Sequence, residues 1–187
     1  MSMSRYQIAL FTLVFGLFCQ SVSAQDAKPQ PVARLITVIV PASTSLPTTS
    51  SLTLEPNTIE KRAFEQTNLV RVQNGLPPFV WDADVCRMAR THSESMAREG
   101  YFAHVTPAGL RLRDRARVAG ILQYAVLGEN IAYNQGYDDP GALAVEKWMD
   151  SPKHRANILS PEFRAMAIGS FVAPDGSVYL TQTFIKR

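Results

Sequence analysis

Two apolar segments near the C-terminus, residues 165–173 and 177–185, most constrain how this chain can fold. Both segments are rich in residues that favour β-strands, and Pro174-Asp175-Gly176 between them has the residue types of a tight turn. They therefore predict an antiparallel hairpin. Because side chains alternate along a strand, the second strand should have two distinct faces. One face carries Val178, Leu180, Gln182 and Phe184, and the other carries Tyr179, Thr181 and Thr183.

Before this hairpin, the apolar residues recur with the period of α-helices. Asn57 followed by Glu60 resembles a capping box, and Asp82 is a good N-cap. Helices followed by antiparallel strands indicate an α+β fold in which helices cover a sheet. Four helices are predicted: from Asn57 to Asn74, from Asp82 to Gly100, over about 110–119, and from Pro140 through Trp148.

The second predicted helix carries two residues that could be chemically active. His92 lies on the apolar stripe with Val85, Ala89 and Met96, which predicts a packed core histidine more readily than a metal ligand. Cys86 lies in the same helical pattern and is predicted to be a buried, inert thiol.

The N-terminal residues 1–24 have the features of a secretory signal peptide. Arg5 precedes an apolar run, Ile8–Phe18, that is shorter than the roughly 20 residues needed to cross a bilayer. Small residues before Ala24 predict cleavage after that residue. The protein is therefore expected to be exported, either to the periplasm or outside the cell, with no transmembrane segment in the mature chain.

Residues 25–55 are rich in Pro, Ser and Thr, which predicts a linker without a core of its own. The apolar island Leu35–Val40 within them could add an edge strand or remain a sticky segment. The compact domain is expected over residues 56–187, a length sufficient to bury a hydrophobic core.

The charge of the chain is only weakly basic. It contains 19 Lys and Arg against 16 Asp and Glu, which is too small an excess to predict nucleic-acid binding. The densest basic run lies in the third predicted helix, where alternate residues fan around the helix axis. We therefore predict a solvated helix, with contact to anionic lipid or cell-wall polymer as the alternative. The run consists of Arg111, Arg113, Arg115 and Arg117.

Polar residues that could form a site stand in three short motifs. They are His104 after Tyr101-Phe102, Glu129 in Gly128-Glu129-Asn130, and His154 within Trp148–Leu159. All three motifs are predicted to lie at helix ends and turns, with Asn130 making structural bonds and Arg155 and Asn157 anchoring the loop after the fourth helix. Residues in such positions often carry binding or catalysis.

The order and spacing of these motifs resemble the CAP superfamily of cysteine-rich secretory proteins, antigen 5 and pathogenesis-related proteins. The resemblance covers about Ile59–Phe184 and is closest to the compact bacterial SCP domains, which have few cysteines. It implies a three-layer α-β-α sandwich with a central antiparallel sheet. The matching motifs are Asn68-x-x-Arg71, Leu76-Pro77-Pro78, Trp81-Asp82, Ala89-x-x-His92, Gly100-Tyr101-Phe102-x-His104, Gly128-Glu129-Asn130-Ile131, Trp148–Leu159 and Thr181-Gln182-x-Phe184.

The resemblance also implies a cavity lined by two histidines and two acidic residues. His104, Glu129 and His154 match three of these positions. Ser151 stands at the fourth, and Asp150 lies one residue earlier, about 100° away around a helix. Because some family members bind zinc at this cavity, the resemblance implies zinc as a cofactor of His104, Glu129 and His154. A hydrogen-bonded polar cluster without metal is the alternative.

Two classes of function remain open. We prefer a non-enzymatic binding module for a lipid or sterol, a cell-wall component or a protein. The alternative is a metal-assisted hydrolase or protease acting on peptide or cell-wall material. A catalytic pair of Ser151 and His154 is disfavoured because no G-x-S-x-G motif is present. A hydrolase requires the two histidines and the glutamate to meet at a solvent-open point, whereas a binding module requires an apolar groove or patch.

Overall fold

The computed structural model describes residues 54–187. The predicted signal peptide, the island Leu35–Val40 and nearly all of the predicted linker lie outside the described residues. The elements, in chain order, are α1 Thr58–Gln73, β1 Val80–Trp81, α2 Ala83–Glu99, α3 Leu112–Val118, β2 Val126–Gln135, α4 Pro140–Asp150, α5 Pro152–Ile158, β3 Ala165–Val172 and β4 Ser177–Lys186.

Local signals set the helix boundaries as predicted. Asn57 and Glu60 form the capping box that begins α1, since each side chain bonds to the other residue's backbone N–H. The Asp82 side chain accepts from Val85 N–H at the start of α2, and Gly100 ends that helix in the left-handed conformation. Asp139 caps α4, with Pro140 in its first turn.

The sheet has the strand order β1-β3-β4-β2. The predicted hairpin of β3 and β4 is confirmed, and β2 pairs antiparallel with the other side of β4. The short strand β1 pairs with β3 in parallel, so the sheet is antiparallel except at that edge.

Strand β2 corrects the prediction that Gly128-Glu129-Asn130 lies at a turn. These residues stand inside a ten-residue strand, opposite Phe184, Thr183 and Gln182 of β4. Their own sequence has weak β-propensity, because Gly and Asn are depleted in strands. The strand is therefore stabilised by pairing with residues more than forty positions away, a contact that no local pattern reveals.

Helix α5 corrects a second prediction. The chain after α4 does not form a loop but turns at Ser151 into another helix, with Pro152 in its first turn. Ser151 is both the C-cap of α4 and the N-cap of α5. Pro152 forces this break because proline cannot continue a helix, yet it fits the first turn of a new one.

Helices cover both faces of the sheet, which gives the α-β-α sandwich. On one face α1, α4 and α5 bury a core that includes Trp148, Leu180 and Phe184. On the other face α2 and α3 bury Val85, Ala116 and Ile185. The alternation predicted for β4 is confirmed, since Leu180 and Phe184 belong to the first core while Thr181 contacts Ser93 of α2.

Candidate functional site

Glu129 is held in the interior between a histidine and an arginine. It lies on β2, and its side chain is 3% exposed. His104 Nδ1 lies 2.9 Å from Glu129 Oε1, where the ring nitrogen can donate to the carboxylate. Arg115 Nη2 donates to Oε1 at 2.9 Å and lies 2.8 Å from Oε2. The same Nη2 also donates to the backbone carbonyl of His104, so it ties the loop before α3 to the strand.

Arg115 corrects the prediction of a uniformly solvated helix. Its side chain is 8% exposed, whereas Arg111, Arg113 and Arg117 are exposed as predicted. Alternate residues that fan around a helix cannot all face water when one side of the helix is packed. The alternate spacing of the four arginines therefore already implied that at least one of them would face the protein interior. The choice of Arg115 as the inward residue depends on how α3 lies against β2.

His154 lies on α5, and in the described structure its side chain has no hydrogen bond or ion pair with this charged cluster. Its pKa is lowered first by burial and then by the charge of His104, which favours the neutral imidazole. With Ser151 and Trp148 it lines a cavity of about 460 Å³ beside β2 and α4. The cavity has the size of a ligand site.

Asp150 belongs to neither group. Its side chain is 66% exposed and pairs with Lys147 Nζ at 3.3 Å. It borders a different recess, with Met149 and Asp138. The structure therefore places His104 in contact with Glu129, and it places Ser151 and His154 on the wall of the same cavity. Asp150 belongs to neither site.

The predicted zinc ligands are not gathered into one ready-made metal site within the described residues. Among residues 54–187, no three or more His, Cys, Asp and Glu side chains converge as ligands. The carboxylate of Glu129 is already shared between His104 and the Arg115 guanidinium. Zinc at His104, Glu129 and His154 thus stays a prediction for experiment.

Aromatic side chains dominate the cavity beside His154. Phe102, Tyr133 and Tyr137 line it, and each is roughly half exposed. A neighbouring recess of about 380 Å³ shares Phe102 and Tyr133 and adds Tyr179. The rings meet edge to face, with centroids 6.4 Å apart for Phe102 and Tyr133 and 5.0 Å apart for Tyr133 and Tyr179. We call this surface, made by Phe102, Tyr133, Tyr137 and Tyr179, the aromatic groove.

One polar atom in the groove has no partner. The Asn134 side chain lines the cavity and is largely buried. Its amide nitrogen donates to the carbonyl of Pro140, whereas its Oδ1 accepts no hydrogen bond within the described structure. Buried polar atoms are nearly always satisfied, so this oxygen is an exception in the described structure.

Residues 64–184 match the family model for CAP, the cysteine-rich secretory protein family. The chain belongs to the CAP family. It is 38% identical over 130 residues to the uncharacterized membrane protein YlbC of Bacillus subtilis, and 36% identical over 140 residues to the uncharacterized protein YkwD of the same organism. These matches cover 70% and 75% of this chain but only 35% and 52% of the two relatives, so the chain spans a third to a half of their lengths.

A solved structure supports the same assignment. An extracellular protein from Bacillus anthracis that contains an SCP domain superposes with a TM-score of 0.62 at 30% identity. The superposition covers 76% of this chain and 45% of that protein. No helix within residues 54–187 is long and apolar enough to span a membrane.

A chain of amide side chains ties together the elements that carry Glu129 and His154. Asn130 Nδ2 donates to Gln182 Oε1, and Gln182 Nε2 donates to Thr67 on α1. Asn157 Nδ2 donates to Asn130 Oδ1 at 2.8 Å. These bonds join β2, β4, α1 and α5, which confirms the structural role predicted for Asn130 and Asn157.

Arg71 is the anchor that sequence reasoning missed. It is fully buried near the end of α1, and its Nη1 donates to the carbonyl of Ile158, the last residue of α5, and to that of Ser160 beyond it. Its guanidinium also lies 3.7 Å from the ring centroid of Phe79. Arg155, which was predicted to help anchor this segment, is exposed instead. The matching Asn68-x-x-Arg71 motif was the available signal.

His92 and Cys86 are core residues, as predicted. His92 Nε2 lies 3.1 Å from the Ala103 carbonyl. Burial, followed by the charge of Arg115, lowers the pKa of His92 to about 4. Burial raises the pKa of the Cys86 thiol to about 12, which keeps it protonated and unreactive.

Proposed function

We propose that this CAP protein is exported and acts as a non-enzymatic binding module whose ligand is a sugar-containing component of the cell wall. The aromatic groove is the observation that carries the proposal. It offers several half-exposed rings beside a pocket of ligand size. Export is supported by the predicted signal peptide and by the likeness to an extracellular SCP-domain protein.

The chemistry of the groove suits a sugar chain. Aromatic rings present flat apolar faces, against which the C–H faces of pyranose rings can pack. His154, kept neutral by its lowered pKa, has one ring nitrogen that donates and one that accepts. The two recesses that share Phe102 and Tyr133 would accommodate more than one ring.

Binding is favoured over hydrolysis by the state of Glu129. A general base must be free to approach the proton that it removes. The buried carboxylate of Glu129 is instead held by Arg115 and His104. The alternative is metal-assisted hydrolysis of peptide or wall material. It would require the Glu129 carboxylate to be released from Arg115 or His104.

Calorimetry with soluble cell-wall glycan fragments tests the binding proposal. Phe102→Ala and Tyr137→Ala remove exposed rings without opening the core, and each is expected to weaken binding about tenfold, in line with the loss of one stacked ring. Leu69→Ala, on α1 and similarly exposed, is the matched control and should bind like the wild type. Wild-type protein that binds no fragment, or ring variants that bind unchanged, would overturn the proposal.

The metal and hydrolase predictions share one experiment. The double variant His104→Ala/His154→Ala should lose any zinc affinity measured by calorimetry while still unfolding cooperatively. Zinc affinity that is equal in wild type and double variant would contradict the assignment of these ligands. Fragments released from cell walls by the wild type with zinc, but not by Glu129→Gln, would establish the hydrolase instead of the binding module.

A further inference from the structure

We propose that residues 105–122, the segment that contains α3, dock the protein onto an anionic lipid bilayer. This surface is distinct from the aromatic groove, and the proposal does not depend on the groove's ligand. Two independent features of the segment lead to it, namely exposed aliphatic side chains and arginines without acidic partners. The side chains concerned are Leu110, Arg111, Arg113, Arg117, Val118 and Leu122.

The segment exposes an unusual amount of aliphatic surface. Val118 is 78% exposed and Leu122 is 72% exposed, while Leu110 and Val105 are exposed to about half that extent. Leu110 and Val118 also line a single cavity of about 510 Å³ between α2 and α3, so they are neighbours in space. Isolated exposed aliphatic residues are ordinary, whereas a cluster of them marks an interaction surface.

The same segment concentrates positive charge. It contains four arginines and one aspartate, while the rest of residues 54–187 contains twelve Lys and Arg and fourteen Asp and Glu. Arg115 is neutralised by Glu129. Arg111, Arg113 and Arg117 are exposed, and within the described structure none has an acidic side chain within ion-pairing distance.

Most other exposed cations of the domain are paired, and the exceptions are Lys153 and Arg155 on α5 and Arg164 just before β3. Arg62 bonds to Asp139, Arg98 bonds to Glu94, and Lys186 bonds to Glu162. The segment with α3 therefore differs in combining three unpaired arginines within seven residues with exposed aliphatic side chains, whereas α5 carries two unpaired cations but no large exposed hydrophobic side chain.

An anionic bilayer accounts for both features together. Arginines near a membrane surface are attracted by its negative potential, and apolar side chains gain by entering the boundary between headgroups and acyl chains. A soluble polyanion would use the arginines but would gain nothing from Val118 and Leu122. The combination of aliphatic residues with unpaired arginines thus selects lipid over a hydrophilic polymer.

Vesicle co-sedimentation of the whole chain tests the proposal. Vesicles of equal parts phosphatidylglycerol and phosphatidylcholine are expected to bind the wild type, and binding should weaken as salt is raised. Arg113→Gln/Arg117→Gln should reduce affinity by about tenfold or more, since each arginine contributes roughly fivefold. Val118→Ser/Leu122→Ser should also reduce affinity. Because every variant carries the same residues 1–53, any lipid binding by that part is common to all of them.

Matched variants on other surfaces provide the controls. Lys153→Gln/Arg155→Gln removes two exposed cations from α5, and Leu69→Ser/Val72→Ser removes two exposed aliphatic side chains from α1. Both should bind vesicles like the wild type, and circular dichroism should show all variants folded.

Equal losses in controls and test variants would overturn the proposal, as would equal binding to vesicles of phosphatidylcholine alone. Unchanged vesicle binding by Val118→Ser/Leu122→Ser, with polyphosphate binding lost in Arg113→Gln/Arg117→Gln, would indicate a soluble polyanion instead.

Discussion

Arg115 is the buried ion-pair partner of Glu129. A carboxylate with a 3% exposed side chain has lost most of its hydration, and the ion pair with Arg115 offsets part of that loss. The remaining nitrogens of Arg115, Nε and Nη1, have no protein partner in the described structure. The pair therefore depends on the single Nη2 that faces both carboxylate oxygens.

Replacing Arg115 by methionine should destabilise the domain by about 3 kcal/mol, because Glu129 is left buried with only His104 beside it. Urea unfolding at neutral pH measures this change. The double variant Arg115→Met/Glu129→Gln should recover much of the loss, and Arg113→Met on the exposed side should change the free energy of unfolding by less than about 0.5 kcal/mol. Equal effects of Arg115→Met and Arg113→Met would show that the buried pair contributes nothing.

His92 should make stability depend on pH. Its pKa is about 4 in the folded protein, against 6.5 for the ordinary imidazole. The unfolded chain therefore binds a proton more readily, so the stability that this residue contributes is fully present above pH 6.5 and is lost as the pH falls towards 4. The loss should reach about 3 kcal/mol. Urea unfolding between pH 7 and pH 4 should show a flatter profile for His92→Gln, and parallel profiles would contradict this assignment.

At the scale of elements, helix α2 lies unusually close to the sheet. A Cβ atom on Gly169 of β3 would stand 2.0 Å from the backbone nitrogen of Arg90 and 2.2 Å from the carbonyl carbon of Ala89. Ser93 Oγ donates to the Gly169 carbonyl at 2.8 Å and fixes the contact. Because the neighbouring atoms are backbone, they cannot rotate away.

Gly169→Ala should therefore cost at least about 4 kcal/mol or prevent folding, since helix and sheet would have to separate. Gly109→Ala is the control: its added Cβ meets no atom within 4 Å, and only its positive φ is unfavourable, which should cost about 1 kcal/mol. Soluble yield and thermal unfolding distinguish the two. A Gly169→Ala protein as stable as Gly109→Ala would show that α2 can shift on the sheet.

Elements differ in how much of them was predictable. The β3–β4 hairpin and the caps of α1, α2 and α4 depend on residues within a few positions of one another, so their signals are local. Strand β2 and helix α5 were missed. Strand β2 forms because β4 provides its hydrogen-bonding partners. Helix α5 begins at Pro152, where the sequence predicted only a turn.

At the scale of the whole molecule, two cores share one sheet. Cys86 lies in the core under α2, fully buried, with a thiol pKa of about 12. Its sulfur lies 3.6 Å from the Ile168 carbonyl of β3. A reagent can reach this thiol only when α2 leaves the sheet.

The alkylation rate of Cys86 should therefore report global opening of the domain. We expect peptide mass spectrometry to show negligible labelling under native conditions and a rate that rises with urea in step with unfolding measured by circular dichroism. Asp82→Ala, which removes the cap of α2, should accelerate labelling, since loss of an N-cap costs about 1 kcal/mol. Rapid native labelling that does not change with urea would contradict burial of the thiol.

The sequence by itself determined the α+β class, the hairpin, most helix boundaries, the inert core roles of His92 and Cys86, and the resemblance to the CAP family. These features are local or are carried by the order of motifs. Only the tertiary structure decided that Arg115 turns inward to Glu129, that His154 faces an aromatic groove, and that Asp150 faces solvent. Each of these depends on how a helix lies against a distant strand, and the physical reason is that a side chain's surroundings are set by packing partners many residues away.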